Sequence, residues 1–173
     1  FAVGIYEEQA ATIDAELANL FERYYHETKG QVLTFAQPAP TRVIPVNQTL
    51  DASSEVYTHE RAVEIVESAK AWGVMPCLCR TQQRLIGKGC EHSLDVCMAF
   101  SATENAFDRM GFIKPLTKEK ALDVVRVAEE EGLIHTTGNY REGSSFELWV
   151  LCNCCTCCCG VLRNIKAQPH PAE

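Results

Sequence analysis

Residues 145–163 read SFELWVLCNCCTCCCGVLR, an apolar run of strand character that leads directly into six cysteines within eight positions, Cys152, Cys154, Cys155, Cys157, Cys158 and Cys159. On the other side of the turn-rich GNYREGS (138–144) lies LIHTT (133–137). Two β-prone runs about a turn predict a hairpin whose second strand delivers the thiols. The same reading asks what could need so many thiols so close together.

Working outward, the rest of the chain is mostly helical in pattern. Ile13, Leu17, Leu20, Phe21 and Tyr24 recur at helical spacing, with Gly30 past the end. From the cap Thr58, a second helix is expected to place Ala62, Ile65, Val66, Ala69 and Trp72 on one face and to stop at Gly73. VMP (74–76) then carries extended chain into the first cysteines. A short helix is expected over Ala102–Met110, and a better one from cap Thr117 through Leu122, Val125 and Ala128 to Gly132. Pro38, Pro40 and Pro45 surround RVIPV (42–46), an edge strand or simply extended chain, because proline interrupts a sheet ladder. The fold class that follows is α+β: several amphipathic helices, a small β-hairpin or sheet, and a cysteine-rich metal-binding end.

The 173 residues, 46% of them hydrophobic, suffice for one domain with its own core. Residues 1–56 read as a helical lead-in and proline-rich loop, and 57–173 as the cysteine-rich core. The start at Phe1 and the polar AQPHPAE at the end read as a piece excised from a longer protein. No run nears the roughly eighteen apolar residues of a membrane span, and FAVGIYEEQA turns acidic too early for a signal peptide, so a cytoplasmic location is expected. The net charge of −7 argues against a nucleic-acid surface.

The ten cysteines form two groups in sequence, Cys77, Cys79, Cys90 and Cys97, then the six from Cys152 to Cys159. Adjacent thiols such as Cys154 and Cys155 make a poor stapling pattern, because a disulfide needs separated backbones. Thiolates converging from a tight loop suit a polynuclear centre or a soft metal. Zinc is the alternative, with the first group offering four thiolates, although Cys77-x-Cys79 is closer than usual zinc spacing. The run also departs from the ferredoxin spacing. The two cysteine segments, 77–100 and 152–173, carry +2 together, leaving −9 for the remainder. Basic residues beside thiols suit an anionic bound centre, and Arg80 and Arg163 are the candidates to offset its charge. Asn153 and Asn139 are candidates to hydrogen-bond its sulfurs or hold the loop.

His135 is a candidate outer ligand or proton relay and His92 a candidate ligand, with a structural hydrogen-bonding role the plainer reading for His135. His26, His59 and His170 read as surface residues, and Trp72 and Trp149 as core. Gly87, Gly89 and Gly160 read as tight turns, since GKG lacks the rest of a phosphate-binding loop.

CLCRTQQRLIGKGCEHSLDVCMAF (77–100), GLIHTTGNY (132–140) and CNCCTCCCGVLR (152–163) together resemble a family of multidomain 4Fe-4S-binding ferredoxin-type proteins of anaerobic bacteria and archaea. FAVGIYEEQ resembles the segment leaving their N-terminal winged-helix-like region. The resemblance covers essentially the whole chain. It implies a central cysteine-rich domain beside a two-cluster ferredoxin domain, with electrons passing to or from that domain or another redox partner. It carries over the ten matching cysteines as metal ligands, with His135 and Asn139 accompanying them, and an iron–sulfur cluster, 4Fe-4S, as cofactor. The isolated domain is not expected to catalyse a reaction alone; it would be an oxidoreductase component. Two other readings stay open: a zinc-stabilised interaction or sensory module, and an enzyme site with an incompletely ligated cluster.

Overall fold

The computed structural model describes residues 12–28, 41–44, 62–138 and 148–167. Its elements, in order, are α1 (Ala15–Glu27), β1 (Thr41–Ile44), α2 (Ala62–Ser68), β2 (Ala71–Pro76), α3 (Leu78–Leu85), β3 (Asp95–Ser101), β4 (Lys114–Leu116), α4 (Lys118–Glu130), β5 (Ile134–Gly138), β6 (Leu148–Cys154) and α5 (Gly160–Ala167). Among the described residues the strands form one six-stranded sheet in the order β1-β5-β6-β3-β2-β4, every pair antiparallel. The α+β expectation holds, with a sheet larger than the hairpin anticipated. No described helix is long and apolar enough to cross a membrane.

Side chains alternate across a strand, and here the alternation divides structure from chemistry. Met98 and Phe100 of β3, with Leu151 opposite Met98, pack under α2 and α4 through Ala62, Val66, Ala121 and Val125. Cys97 and Ala99 face the other way, into a core that includes Met75, Phe107, Ile113, Cys155 and Cys158. Cys152 is opposite Thr136, and Cys154 opposite Ile134, so both cysteines share a face of β6 while Asn153, opposite His135, takes the other. β2 ends at Pro76, β3 starts at Asp95 and β6 ends at Cys154, which puts the cysteine-bearing ends together.

Local chemistry explains where the helices begin and end. Asp14 caps α1 by accepting from Leu17 N (2.8 Å), and Thr117 caps α4 by accepting from Lys120 N (3.3 Å). α4 gives way to Gly132 in the left-handed region (φ 68°), as the sequence predicts. α1 differs in its buried face: Ala18 and Glu22 are inside, whereas Leu20 and Tyr24 are exposed. A charged residue anchors this helix, because its docking surface is polar.

The second helix is shorter than its periodicity predicts. α2 ends at Ser68, and Trp72 and Gly73 belong to β2 instead. Trp72 Nε1 donates to the Val66 carbonyl (2.7 Å), satisfying a group at the end of α2. Gly73 is not a stop signal: a Cβ there would lie 2.3 Å from Ile113 Cγ2 and 3.2 Å from the Phe107 ring. The helix expected over Ala102–Met110 is a series of turns. Asn105 is left-handed (φ 58°), and Asp108 N and Met110 N each bond back three residues, to Asn105 O and Phe107 O. Thr41–Ile44, which includes the RVI of that run, is an edge strand, β1, and Pro115 sits in the edge strand β4, where a missing N–H costs least. Thr58, Gly30, Pro38, Pro40, Pro45, His59, Asn139, His170 and the first eleven residues lie outside the described residues.

Candidate metal centre

The cysteine run is one strand end, one turn and one helix start. Cys152 and Cys154 finish β6; residues 156–158 turn; Cys159 N bonds back to Cys155 O (3.1 Å), and Arg163 N to Cys159 O (2.9 Å) as α5 begins. Against this loop lies the segment after α3, which carries Cys90. Gly87 is left-handed (φ 73°) and closes α3; a Cβ on Gly89 would sit 2.8 Å from the backbone of Arg84. Arg84 then holds the segment, donating to Cys90 O (2.9 Å) and His92 O (2.7 Å). Ser93 is held by Glu131 through its backbone N–H (2.9 Å) and its hydroxyl.

All ten cysteines are free thiols, and the two sequence groups meet, though not in the sets the sequence divides them into. Cys90 leaves its first group and joins Cys155, Cys157 and Cys158, a quartet in which every sulfur lies within 4.8 Å of every other. Three of the separations are 3.7 Å (Cys90–Cys155), 3.6 Å (Cys90–Cys158) and 3.7 Å (Cys157–Cys158). Four sulfurs about 2.3 Å from a single tetrahedral ion stand about 3.8 Å apart. The quartet therefore has the dimensions to hold one metal ion. Cys155 and Cys158 are buried, Cys90 is half-buried and Cys157 is exposed, so the site lies at the surface of the core.

The other six thiols act on one another in sequence. Cys97 hydrogen-bonds with Cys77 and Cys152, Cys152 with Cys154, Cys154 with Cys159, and Cys159 with Cys79. Thr136 Oγ1 adds a contact to Cys154 Sγ (3.4 Å). These bonds divide the thiols electrostatically. Hydrogen bonds from Cys154 and Cys97 hold Cys152 at about 6, and one from Cys97 holds Cys77 at about 7. Their partners go the other way: Cys97 and Cys154 are pushed well up, and Cys159 up to about 12. In the quartet, burial raises Cys155, but the Arg80 hydrogen bond and charge, with Cys157, bring it down to about 7; burial and its bond to Cys90 push Cys158 up.

Arg80 is fully buried. Its Nη1 donates to the Ser93 carbonyl and its Nη2 to the Asn153 carbonyl (3.2 Å), while Nε has no protein partner. Burial opposes its charge, but the hydrogen bond to Cys155 and the fields of Cys77, Cys155 and Cys90 hold the guanidinium protonated. Arg163 is placed differently. It donates to both carboxylate oxygens of Glu22 (3.1 and 2.7 Å) and lies 4.7 Å over the Tyr25 ring. Its charge is thus already matched, although it also feels Cys158.

Asn153 does not bond a sulfur through its side chain: Oδ1 pairs with His135 Nδ1 and Nδ2 donates to Val96 O (2.6 Å). His135 is buried on the helix-covered face, with Nε2 3.8 Å from Glu129. His92 pairs with Glu131 (3.2 Å), and His26, at the surface, with Glu22 (3.2 Å). Neither His135 nor His92 joins the quartet. Gly160 starts α5 rather than forming a separate turn, and its carbonyl accepts from Tyr25 OH (3.2 Å). Trp72 is half-buried in β2, and the Trp149 side chain lies outside what is described.

Glu22 was invisible to sequence reasoning, as was Arg84. Glu22 binds Gln83 (2.7 Å), Lys88 (3.4 Å) and Arg163, tying α1 to α3 and α5 across 61 to 141 residues of sequence. No local pattern announces such a residue; the one hint is an acid among the apolar positions of an amphipathic helix.

No family model, curated protein or solved structure matches this chain.

Proposed function

We propose that this chain is an iron–sulfur electron-transfer domain, acting in the cytoplasm between a ferredoxin-type domain or redox protein and a second partner. The observation that carries the proposal is the convergence of ten free thiols from two distant segments on one end of the sheet, including a quartet sized for metal. Thiolate is the ligand that iron–sulfur clusters prefer, and the sequence resemblance to 4Fe-4S-binding proteins points the same way. Arg80 adds support: a buried, protonated guanidinium beside Cys77, Cys90 and Cys155 suits a centre that is anionic in both redox states, and its free Nε has a use as a donor to bound sulfur. A cluster bound there would supply one-electron exchange between a reduced donor and an acceptor; the cysteines would hold it, the buried shell would keep water from it and Arg80 would offset its charge. Neither a nucleic acid nor a membrane has a place in this reading.

One observation favours a second reading. Sulfur separations of 3.6–3.7 Å suit a single tetrahedral ion, and a zinc ion there would make the chain a zinc-stabilised interaction or sensory module. Anaerobic purification followed by metal and acid-labile sulfide analysis decides between them. Brown protein with iron and sulfide is expected; colourless, folded protein with zinc as its only stoichiometric metal would sink the electron-transfer reading.

A further inference from the structure

Six thiols remain after the quartet is filled, and their arrangement follows from the sheet. Cys97 on β3 and Cys152 on β6 extend the Met98–Leu151 register by one step on the face away from α2 and α4, and Cys154 shares that face two residues further along β6. Cys77 stands at the exit of β2 and Cys79 in the first turn of α3, while Cys159 precedes α5. Cys77 and Cys97 lie in one buried cluster with Cys79 and Cys152 packed against it, and the thiols act on one another in the order Cys77, Cys97, Cys152, Cys154, Cys159 and Cys79, with the charge of Cys77 reaching Cys79 in turn, so that the six form an electrostatic ring. Cys77, Cys97, Cys154 and Cys159 are buried, and Cys79 and Cys152 are half-buried. None belongs to the quartet.

We propose that Cys77, Cys79, Cys97, Cys152, Cys154 and Cys159 hold a second, polynuclear metal centre, adjacent to the quartet and separate from it. Buried thiols in mutual contact leave few hydrogen-bond acceptors for one another, whereas a soft cation satisfies every sulfur lone pair directed at it. One tetrahedral ion takes four donors, so six in a ring call for more than one metal atom. Two tetrahedral divalent ions ask for eight ligand positions, which six thiolates fill when two of them bridge. Loading then displaces whatever protons the six thiols still carry and leaves the centre with charge −2. Arg80 acts on both sets, its charge felt by Cys77 of the ring and by Cys155 and Cys90 of the quartet. The two centres are therefore electrostatically coupled through one side chain. The proposal rests on metal binding by thiolate, not on which metal the quartet prefers.

Cobalt(II) is the probe, because thiolate-bound tetrahedral cobalt absorbs strongly in the visible. The full chain, stripped of metal and reduced anaerobically, is titrated alongside Cys157→Ser, which alters the exposed member of the quartet, and Cys152→Ser, which breaks the ring. Wild type is expected to take up three equivalents, Cys157→Ser to retain two with the charge-transfer bands of bridging thiolate, and Cys152→Ser to retain one. Saturation of wild type at one equivalent, with none left in Cys157→Ser, overturns the second centre; a single retained ion without bridging bands overturns its polynuclear character. Alkylation of anaerobically isolated protein is an independent check that does not depend on any variant folding. Protection of the ring thiols until a chelator is added supports the proposal, and a disulfide among them refutes it. Iron and sulfide analysis tests the electron-transfer reading separately, since a zinc-loaded ring would sink that reading and leave this one standing.

Discussion

Glu22 is a carboxylate held almost out of water, with Arg163, Gln83, Lys88 and His26 around it. Burial pushes its pKa up, but hydrogen bonds from Arg163 and Gln83, the Arg163 charge and Lys88 overcome this and hold it at about 2, against an ordinary value of 4.5. A depressed folded pKa gives stability that is complete above the unfolded value and lost as pH falls from about 4.5 through about 2. Glu22→Gln should therefore cost on the order of 3 kcal/mol at pH 7 and much less at pH 2; urea unfolding at both pH values measures this, and an equal cost at both would show that the charge is not responsible. Arg80 and Arg163 make a contrast of the same kind. If the centre is the iron–sulfur cluster proposed above, removing a positive charge beside it disfavours its reduced form, so Arg80→Gln should lower the one-electron potential by about 60 mV for each 1.4 kcal/mol of interaction lost. Arg163→Gln should shift it less, because Glu22 already balances Arg163. Redox titration at equal metal loading tests both, and an unchanged Arg80→Gln potential would end the charge-compensation argument.

Among the elements, two glycines are needed for closeness. A side chain at Gly89 would press on the Arg84 backbone at 2.8 Å, so Gly89→Ala should displace the segment carrying Cys90 and reduce metal uptake at the quartet while the sheet keeps its far-ultraviolet signature. Full occupancy in that variant would mean the segment adapts. Gly73→Ala should cost about 1–3 kcal/mol by overpacking against Ile113, and Ile113→Ala should recover part of that cost in the double variant, as thermal unfolding of the cycle would show. The sequence made some elements plain and hid others for physical reasons. α4 announces itself through a cap, a periodic face and Gly132, and the β5–β6 pair through its β-prone runs, because those signals are local. β3 and α3 went unread: α3 buries Arg80 and Gln83 rather than an apolar stripe, so hydropathy could not place it. Trp72 misleads by continuing the spacing of α2 from within a strand. The metal-binding end was legible from the thiols themselves; the exchange of Cys90 between groups was not, since it depends on where Arg84 and Gly89 put a loop.

Across the whole molecule, thiols that pack the core are also the ones proposed to ligate metal: Cys77, Cys97, Cys155 and Cys158 sit in one cluster with Met75, Phe107 and Ile113. Removing metal should therefore lower the thermal midpoint and expose that core to dye, more than loss of a surface ion would; an unchanged midpoint after complete chelation would show that the cysteines are structurally idle. The order of the sheet carries a consequence for biosynthesis. β6 is the last described strand to be made, yet it lies between β3 and β5, which are made earlier and are not paired with each other. As the ribosome works along the message, Cys77 and Cys97 emerge with β3 lacking its neighbour on that side, and Cys90 emerges more than sixty residues ahead of its partners Cys155 and Cys158. Neither thiol set can close until β6 has slotted into the gap. On the proposed reading, metal can load only late in the life of this chain, and a nascent chain halted before residue 148 should emerge metal-free with its thiols open to oxidants.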